Sequence, residues 1–170
     1  MTSTGKLSLV AKGDREIVMT RVFDAPRQLV YEAFTKPELV RRWLLGPPGW
    51  SMPVCEMDVR VGGTYRWVWR HDSKGTEMGI SGVYREIVPP ERIVSTEKFD
   101  QSWYPGEAVG TVVLTEQGGK TTLTQTLLYE SREARDGVLK YPIEQGVGGS
   151  YDRLADLVAA ERAGEGEARN

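Results

Sequence analysis

Residues 143–158, IEQGVGGSYDRLADLV, set Ile143, Val147, Tyr151, Leu154 and Val158 at spacings of 4, 4, 3 and 4. An α-helix turns once in about 3.6 residues, so these side chains share one face. The spacing predicts an amphipathic helix of about four to five turns. Gly146, Gly148 and Gly149 fall in its first half, where each costs about 1 kcal/mol relative to alanine. Either the helix starts near Ser150 and the glycines form a loop, or it runs through them and their small size keeps the space beneath it open. The stripe continues through the glycines at Ile143 and Val147, which favours the second reading.

Outward from this helix the pattern changes. EIVMTRVF (16–23) is β-branched and aromatic and predicts a strand. DAPRQLVYEAF predicts a short helix, with Asp24 as its cap, Pro26 in its first turn, and Leu29, Val30, Ala33 and Phe34 as its stripe. KPELVRRWL predicts a second helix, stopped by Gly46-Pro47-Pro48-Gly49. From Met52 the period becomes two, which predicts strands at 52–60, 63–71, 77–88, 92–99, 108–117 and 120–130. The links between them are short and carry turn residues such as Gly62-Gly63, Pro89-Pro90 and Gly118-Gly119, which favours an antiparallel meander. Residues 1–15 read as a flexible arm, 16–162 as a single domain and 163–170 as a disordered tail. The expected class is α+β: a curved antiparallel sheet of about seven strands, two short helices after the first strand, and one long C-terminal helix. A curved sheet gripping a straight helix leaves a gap along part of its length.

Composition narrows the function. Lys plus Arg is 22 and Asp plus Glu 24, a net charge of −2, so no basic surplus points to nucleic acid or an anionic membrane. No apolar run reaches the roughly 18 residues of a spanning helix. No secretory signal is read at the start of the chain, and the expected location is the cytoplasm. Cys55 is the only cysteine, which excludes an internal disulfide and a cysteine-based metal site. His71 is the only histidine and sits in an expected turn, so neither a histidine metal cluster nor a Ser-His-Asp arrangement has support. No cofactor is expected.

The ordered segments RVFDAPRQLVYEAFTKPELVRRWLLGP, MDVRVGGTYRWVWR, GVYREIVPPERIVSTEKFD, GGKTTLTQTLLY and SYDRLADLV resemble the activator of Hsp90 ATPase homologue 1-like family, within the START/Bet v 1-like superfamily. The resemblance spans about residues 16–160. It implies the helix-grip fold and a hydrophobic cavity beneath the C-terminal helix. It does not imply one function: superfamily relatives carry lipids or hormones, or act as cyclases or hydrolases, and the eponymous members stimulate a chaperone.

The candidate site follows from strand alternation. WLLGPPGWSMPVCEMDVRVGGTYRWVWR (43–70) holds four of the five tryptophans. Tyr65, Trp67 and Trp69 share one strand face, with Arg66, Val68 and Arg70 on the other. Three rings on a concave face either fill a core or line a pocket. Trp43 and Trp50 flank the Gly-Pro-Pro-Gly segment, which reads as a lid at the mouth or as a packed connection. Glu97 shares a face with Ile93, Ser95 and Phe99, and Gln125 with Leu123, Leu127 and Tyr129. If the apolar members point inward, so do the polar ones. Glu97 is then either a cavity acid with a raised pKa or a rim carboxylate, solvated or paired with an arginine. Val147 and Tyr151 on the long helix complete the set. Asp58 and Arg60 read as a structural ion pair with a neighbouring strand.

Three functions are expected, in this order: binding of a small hydrophobic or aromatic molecule; a cyclase- or hydrolase-type enzyme acting on such a molecule through Glu97 or tyrosines; and an Hsp90-type chaperone regulator. The eponymous activators carry a further N-terminal domain, whereas about 15 residues precede the first strand here, which ranks the chaperone partner last. An exposed sheet edge leaves a homodimer open.

Overall fold

The computed structural model describes residues 6–101 and 104–169, with side chains as far as Gly164. Eight strands and four helices follow in the order β1 (Ser8–Lys12), β2 (Glu16–Phe23), α1 (Arg27–Thr35), α2 (Pro37–Trp43), β3 (Trp50–Met57), β4 (Thr64–His71), β5 (Glu77–Val88), β6 (Arg92–Phe99), β7 (Ala108–Gln117), β8 (Lys120–Leu128), α3 (Arg132–Leu139) and α4 (Ile143–Arg169). The strands form one open sheet in the order β1-β2-β8-β7-β6-β5-β4-β3, every neighbouring pair antiparallel. Register shifts in β3, between Ser51 and Val54, and in β5, between Tyr84 and Glu86, add local bends to the ordinary twist.

The α+β class and the helix gripped by a curved sheet are as the sequence predicts. The sheet has one strand more than expected. Ser8–Lys12, read as part of a flexible arm, pairs with β2 in register from Ser8↔Thr20 to Lys12↔Glu16. Leu7 and Leu9 pack against the buried cluster of Ile17, Met19, Leu127 and Tyr129, and that apolar contact ties the segment down. Residues 1–5 of the same arm lie outside the described residues. At the other end, the helical backbone of α4 runs to Arg169, into the segment read as a disordered tail.

α4 lies across the concave face. Tyr151, Leu154, Leu157 and Val158 join Phe23, Leu114 and Leu123 of the sheet in the main core. α1 and α2 pack against α4 and contribute Leu29, Val30, Ala33 and Trp43. Asp24 does not cap α1. The N-cap is Pro26, which offers no side-chain acceptor. Glu116 of β7 accepts the Arg27 N–H at 2.7 Å instead, while Asp24 accepts Arg162 of α4 at 3.0 Å. The orphan N–H of a helix start takes whichever acceptor tertiary packing brings near. Asp58 and Arg60 pair with each other at 2.8 Å, both exposed, rather than with another strand.

α4 begins at Ile143, so the three glycines are helical. A Cβ on Gly149 would stand 3.3 Å from the Gly46 carbonyl oxygen, and one on Gly146 would stand 3.5 Å from Pro47, while Gly148 faces open space. Two of the three glycines thus admit close approach of the Gly-Pro-Pro-Gly segment. Gly82 is a sharper case, since a Cβ there would meet the Thr96 carbonyl oxygen at 2.0 Å and the Tyr65 ring at 2.5 Å. Gly82→Ala is expected to unfold the protein or lower its denaturation midpoint severely, whereas Gly148→Ala is expected to add up to about 1 kcal/mol. Urea unfolding of the two variants checks both.

Candidate functional site

A cavity of about 440 Å³ opens between the sheet and the first turns of α4. Trp43, Trp50, Tyr65, Trp67, Trp69, Glu97, Gln125, Val147 and Tyr151 all stand on its lining, joined by Tyr84, Phe99, Gly110 and Tyr129 among others. Pro47 and Met78 are both exposed and on the lining, and they mark its mouth.

Each wall follows from local structure. Alternation along β4 turns Tyr65, Trp67 and Trp69 to the concave side. Tyr65 lies 4.4 Å from Trp67 and 5.5 Å from Tyr84, centroid to centroid, and Trp67 lies 6.2 Å from Trp69. Outside, Arg66 makes a forked pair with Asp100 at 2.6 and 2.5 Å, which holds the Asp100 carboxyl below its usual pKa. The rings are fixed as well as packed. Tyr65 donates its hydroxyl to the Thr96 carbonyl at 2.6 Å, and Trp69 donates its indole N–H to the Leu44 carbonyl at 2.7 Å. Trp43 is 1% exposed and donates to the Ala33 carbonyl at 2.8 Å. It is both a core residue and a cavity wall, so the choice between filling a core and lining a pocket does not divide these rings. The shielded Trp67 indole N–H has no hydrogen-bond partner among the described residues.

The Gly-Pro-Pro-Gly segment is a strap pinned to α4. The Gly46 N–H donates to Ser150 Oγ at 2.9 Å, and Arg153 Nη1 donates to the Gly46 carbonyl at 2.8 Å. Gly46 and Gly49 have φ of +69° and +97°, a region few side chains tolerate. Trp50 stands edge-on to His71 at 5.2 Å. The His71 Nδ1 accepts the Lys74 backbone N–H at 3.2 Å, so this histidine shapes a turn at the rim. Cys55 is buried under α2, and burial raises its thiol pKa, the opposite of an activated nucleophile.

Polar groups on the lining are few. Tyr151 donates its hydroxyl to Gln125 Oε1, which occupies one of the two lone pairs of that amide oxygen. Glu97 is half-buried, closely surrounded by protein, and stands on the cavity lining. Tyr104 donates to Glu97 Oε1 at 3.2 Å. Burial outweighs that hydrogen bond and raises the carboxyl from 4.5 to about 7. Burial also raises Tyr65, Tyr84, Tyr104, Tyr129 and Tyr151, so these hydroxyls stay protonated at neutral pH. Glu97 stands on the cavity lining and has no arginine partner among the described residues.

Sequence reasoning missed Tyr84 and Tyr104. Tyr84 follows from alternation with Ile80 on β5, broken by the bulge after it. Tyr104 lies in a connection with no period to read. Buried Arg21, 4% exposed beneath α4 and 2.7 Å from Asp152, also carried no signal within its strand. Among the described residues no helix is long and apolar enough to cross a membrane, and no group of acidic, histidine or cysteine side chains could hold a metal ion.

Residues 24–159 match the family described as Activator of Hsp90 ATPase homolog 1-like protein. The chain belongs to this family. Its fold generally binds hydrophobic ligands, and its members include proteins that bind ligands or Hsp90. A Chromobacterium violaceum protein of solved structure is 33% identical, with a TM-score of 0.73 over 85% of this chain and 96% of that one. A Rhodobacter sphaeroides protein is 28% identical, with a TM-score of 0.84 over 91% and 99%. A Nitrosomonas europaea protein at 24% identity and a TM-score of 0.78, over 90% and 99%, shares the fold. Comparison with curated proteins finds no match.

Glu97 gives the site a pH signature. Its carboxyl is raised in the folded state, so folding favours the protonated acid. That contribution is complete below about pH 4.5 and is lost as pH rises through about 7, with an upper size of about 3 kcal/mol. Glu97→Gln cannot ionise, and between pH 5 and 8 it is expected to gain on the parent by up to that amount. Urea unfolding at both pH values is the check, and parallel losses in the two proteins would show a solvated carboxyl.

Proposed function

We propose that this protein binds a small hydrophobic or aromatic molecule in the cavity between the sheet and α4. The observation that carries this reading is the open space of about 440 Å³, walled by hydrogen-bonded aromatic rings. Protein interiors hold few voids larger than a water molecule, and a concave, mostly apolar space with a few polar groups is the usual form of a small-molecule site. In this reading Tyr65, Trp67 and Trp69 form the wall against the ligand. Trp43 closes the wall from the core side, Trp50 stands toward the rim, Val147 and Tyr151 roof the ligand, and Glu97 and Gln125 orient it. The lone packed thiol suits the cytoplasm as its setting.

A second reading has one observation in its favour. Glu97 with Tyr104 is a carboxyl near neutral pKa beside a hydroxyl in an apolar space, which is the equipment of proton-transfer catalysis on a bound ligand. Binding without turnover separates the first reading from this one.

A thermal-shift screen against apolar and aromatic compounds tests the proposal. A true ligand at about 100 times its Kd raises stability by about 2.7 kcal/mol. Gly110 lies on the cavity floor, and a Cβ there would meet Leu127 at an ordinary 3.5 Å. Gly110→Leu is therefore expected to fold, to fill the floor and to lower affinity at least about tenfold. A saturable shift that Gly110→Leu leaves intact would move the binding site elsewhere.

A further inference from the structure

The charge pattern of the cavity names a ligand class. Among the described residues Glu97 is the one acid on the lining, and no lysine, arginine or histidine stands there with it. The titratable groups facing it are tyrosines: Tyr65 from β4, Tyr104 from the β6–β7 connection and Tyr129 from the end of β8. The paired β7 residue is Ala108, and α4 contributes Ile143, Val147 and Tyr151. On β6 itself, Thr96 and Lys98 alternate to the opposite face.

Three of the hydroxyls around the space are committed as donors. Tyr65 donates to the Thr96 carbonyl, Tyr151 to Gln125 and Tyr104 to Glu97. The one formal charge the cavity offers an occupant is a carboxyl oxygen, set among the negative faces of aromatic rings, with no cation on the described lining to balance it. A protonated amine attached to an apolar or aromatic body complements all three features. It pairs with the carboxylate, stacks against ring faces and fills the apolar space. Folding has already stripped water from the carboxylate, so binding need not remove that water again. An anionic amphiphile such as a fatty acid would instead meet an uncompensated carboxylate.

Resting on the cavity reading above, we propose that Glu97 selects ligands carrying a protonated amine on an aromatic or apolar body. The test uses the full chain and three matched probes: naphthylethylamine, naphthylethanol and naphthylacetate. At pH 8, titration calorimetry is expected to give the amine about tenfold tighter binding than the alcohol, with the carboxylate weakest. At pH 5.5 the amine remains protonated while Glu97 takes up a proton, and the ratio of amine to alcohol affinity should shrink toward one. Glu97→Gln should bring that ratio close to one at pH 8, whereas Tyr104→Phe, which retains the carboxyl, should preserve it. Alcohol binding with no preference for the amine, or a preference that survives in Glu97→Gln, would overturn this inference and leave the cavity reading standing. Failure of all three probes to bind would overturn both.

Discussion

The burial of one helix face on a curved sheet governs the molecule. The stripe of α4 must leave water, and the concave side of the sheet is the surface that covers it. A straight helix cannot follow a curved sheet along its whole length. Contact is tight where Leu154, Leu157 and Val158 meet Phe23, Leu114 and Leu123, and it opens toward Ile143 and Val147. Large rings then keep the open end from collapsing. Trp43, Trp69 and Tyr65 are each fixed by a hydrogen bond from their polar edge to a backbone carbonyl. A ring held in that way cannot swing in to fill the space, and the cavity is a property of the packing rather than a gap in it.

The same end of α4 controls the rim. Gly146 and Gly149 let the strap approach within van der Waals distance, and Ser150 with Arg153 grips both polar backbone atoms of Gly46, its N–H and its carbonyl. The glycines thus exchange helix propensity for proximity. The first turns of α4 and the strap are mechanically one unit, so any displacement of the helix start that admits a ligand must carry the strap with it or break these two hydrogen bonds. Gly148 meets no neighbour that would explain its lack of a side chain.

Much of this is legible in the sequence because burial enforces period. The strands β2, β4, β6, β7 and β8 and the stripe of α4 repeat their apolar residues on one face, and the concave positions of β4, β6 and β8 follow by alternation. What could not be read depends on distant partners. Asp24 has the chemistry of a cap, yet Glu116, 89 residues from Arg27, reaches the helix start first. Arg21 is a charged residue on a core face because Asp152, 131 residues away, supplies its counter-charge. Tyr104 meets Glu97 from an irregular connection, where no periodicity points a side chain anywhere. β1 offers only five residues with little burial of their own, and its order comes from pairing with β2 and from the contact of Leu7 and Leu9 with a cluster that other strands build.

Glu97 is where local and global demands disagree. Glutamine would keep the shape and the hydrogen bond from Tyr104 without the cost of an ionisable group in an apolar space. An acid at that position leaves the cavity sensitive to protons near neutrality, because burial disfavours its charge and no cation among the described lining residues compensates it. A cation in the cavity and a proton on the carboxyl then compete for the same oxygen atoms. Linkage makes the competition reciprocal: every tenfold in affinity that the ionised carboxyl adds for a cation must appear as a fall of about one unit in its pKa in the complex. An occupant of that kind therefore removes the conflict that the fold leaves open, and acidification restores it.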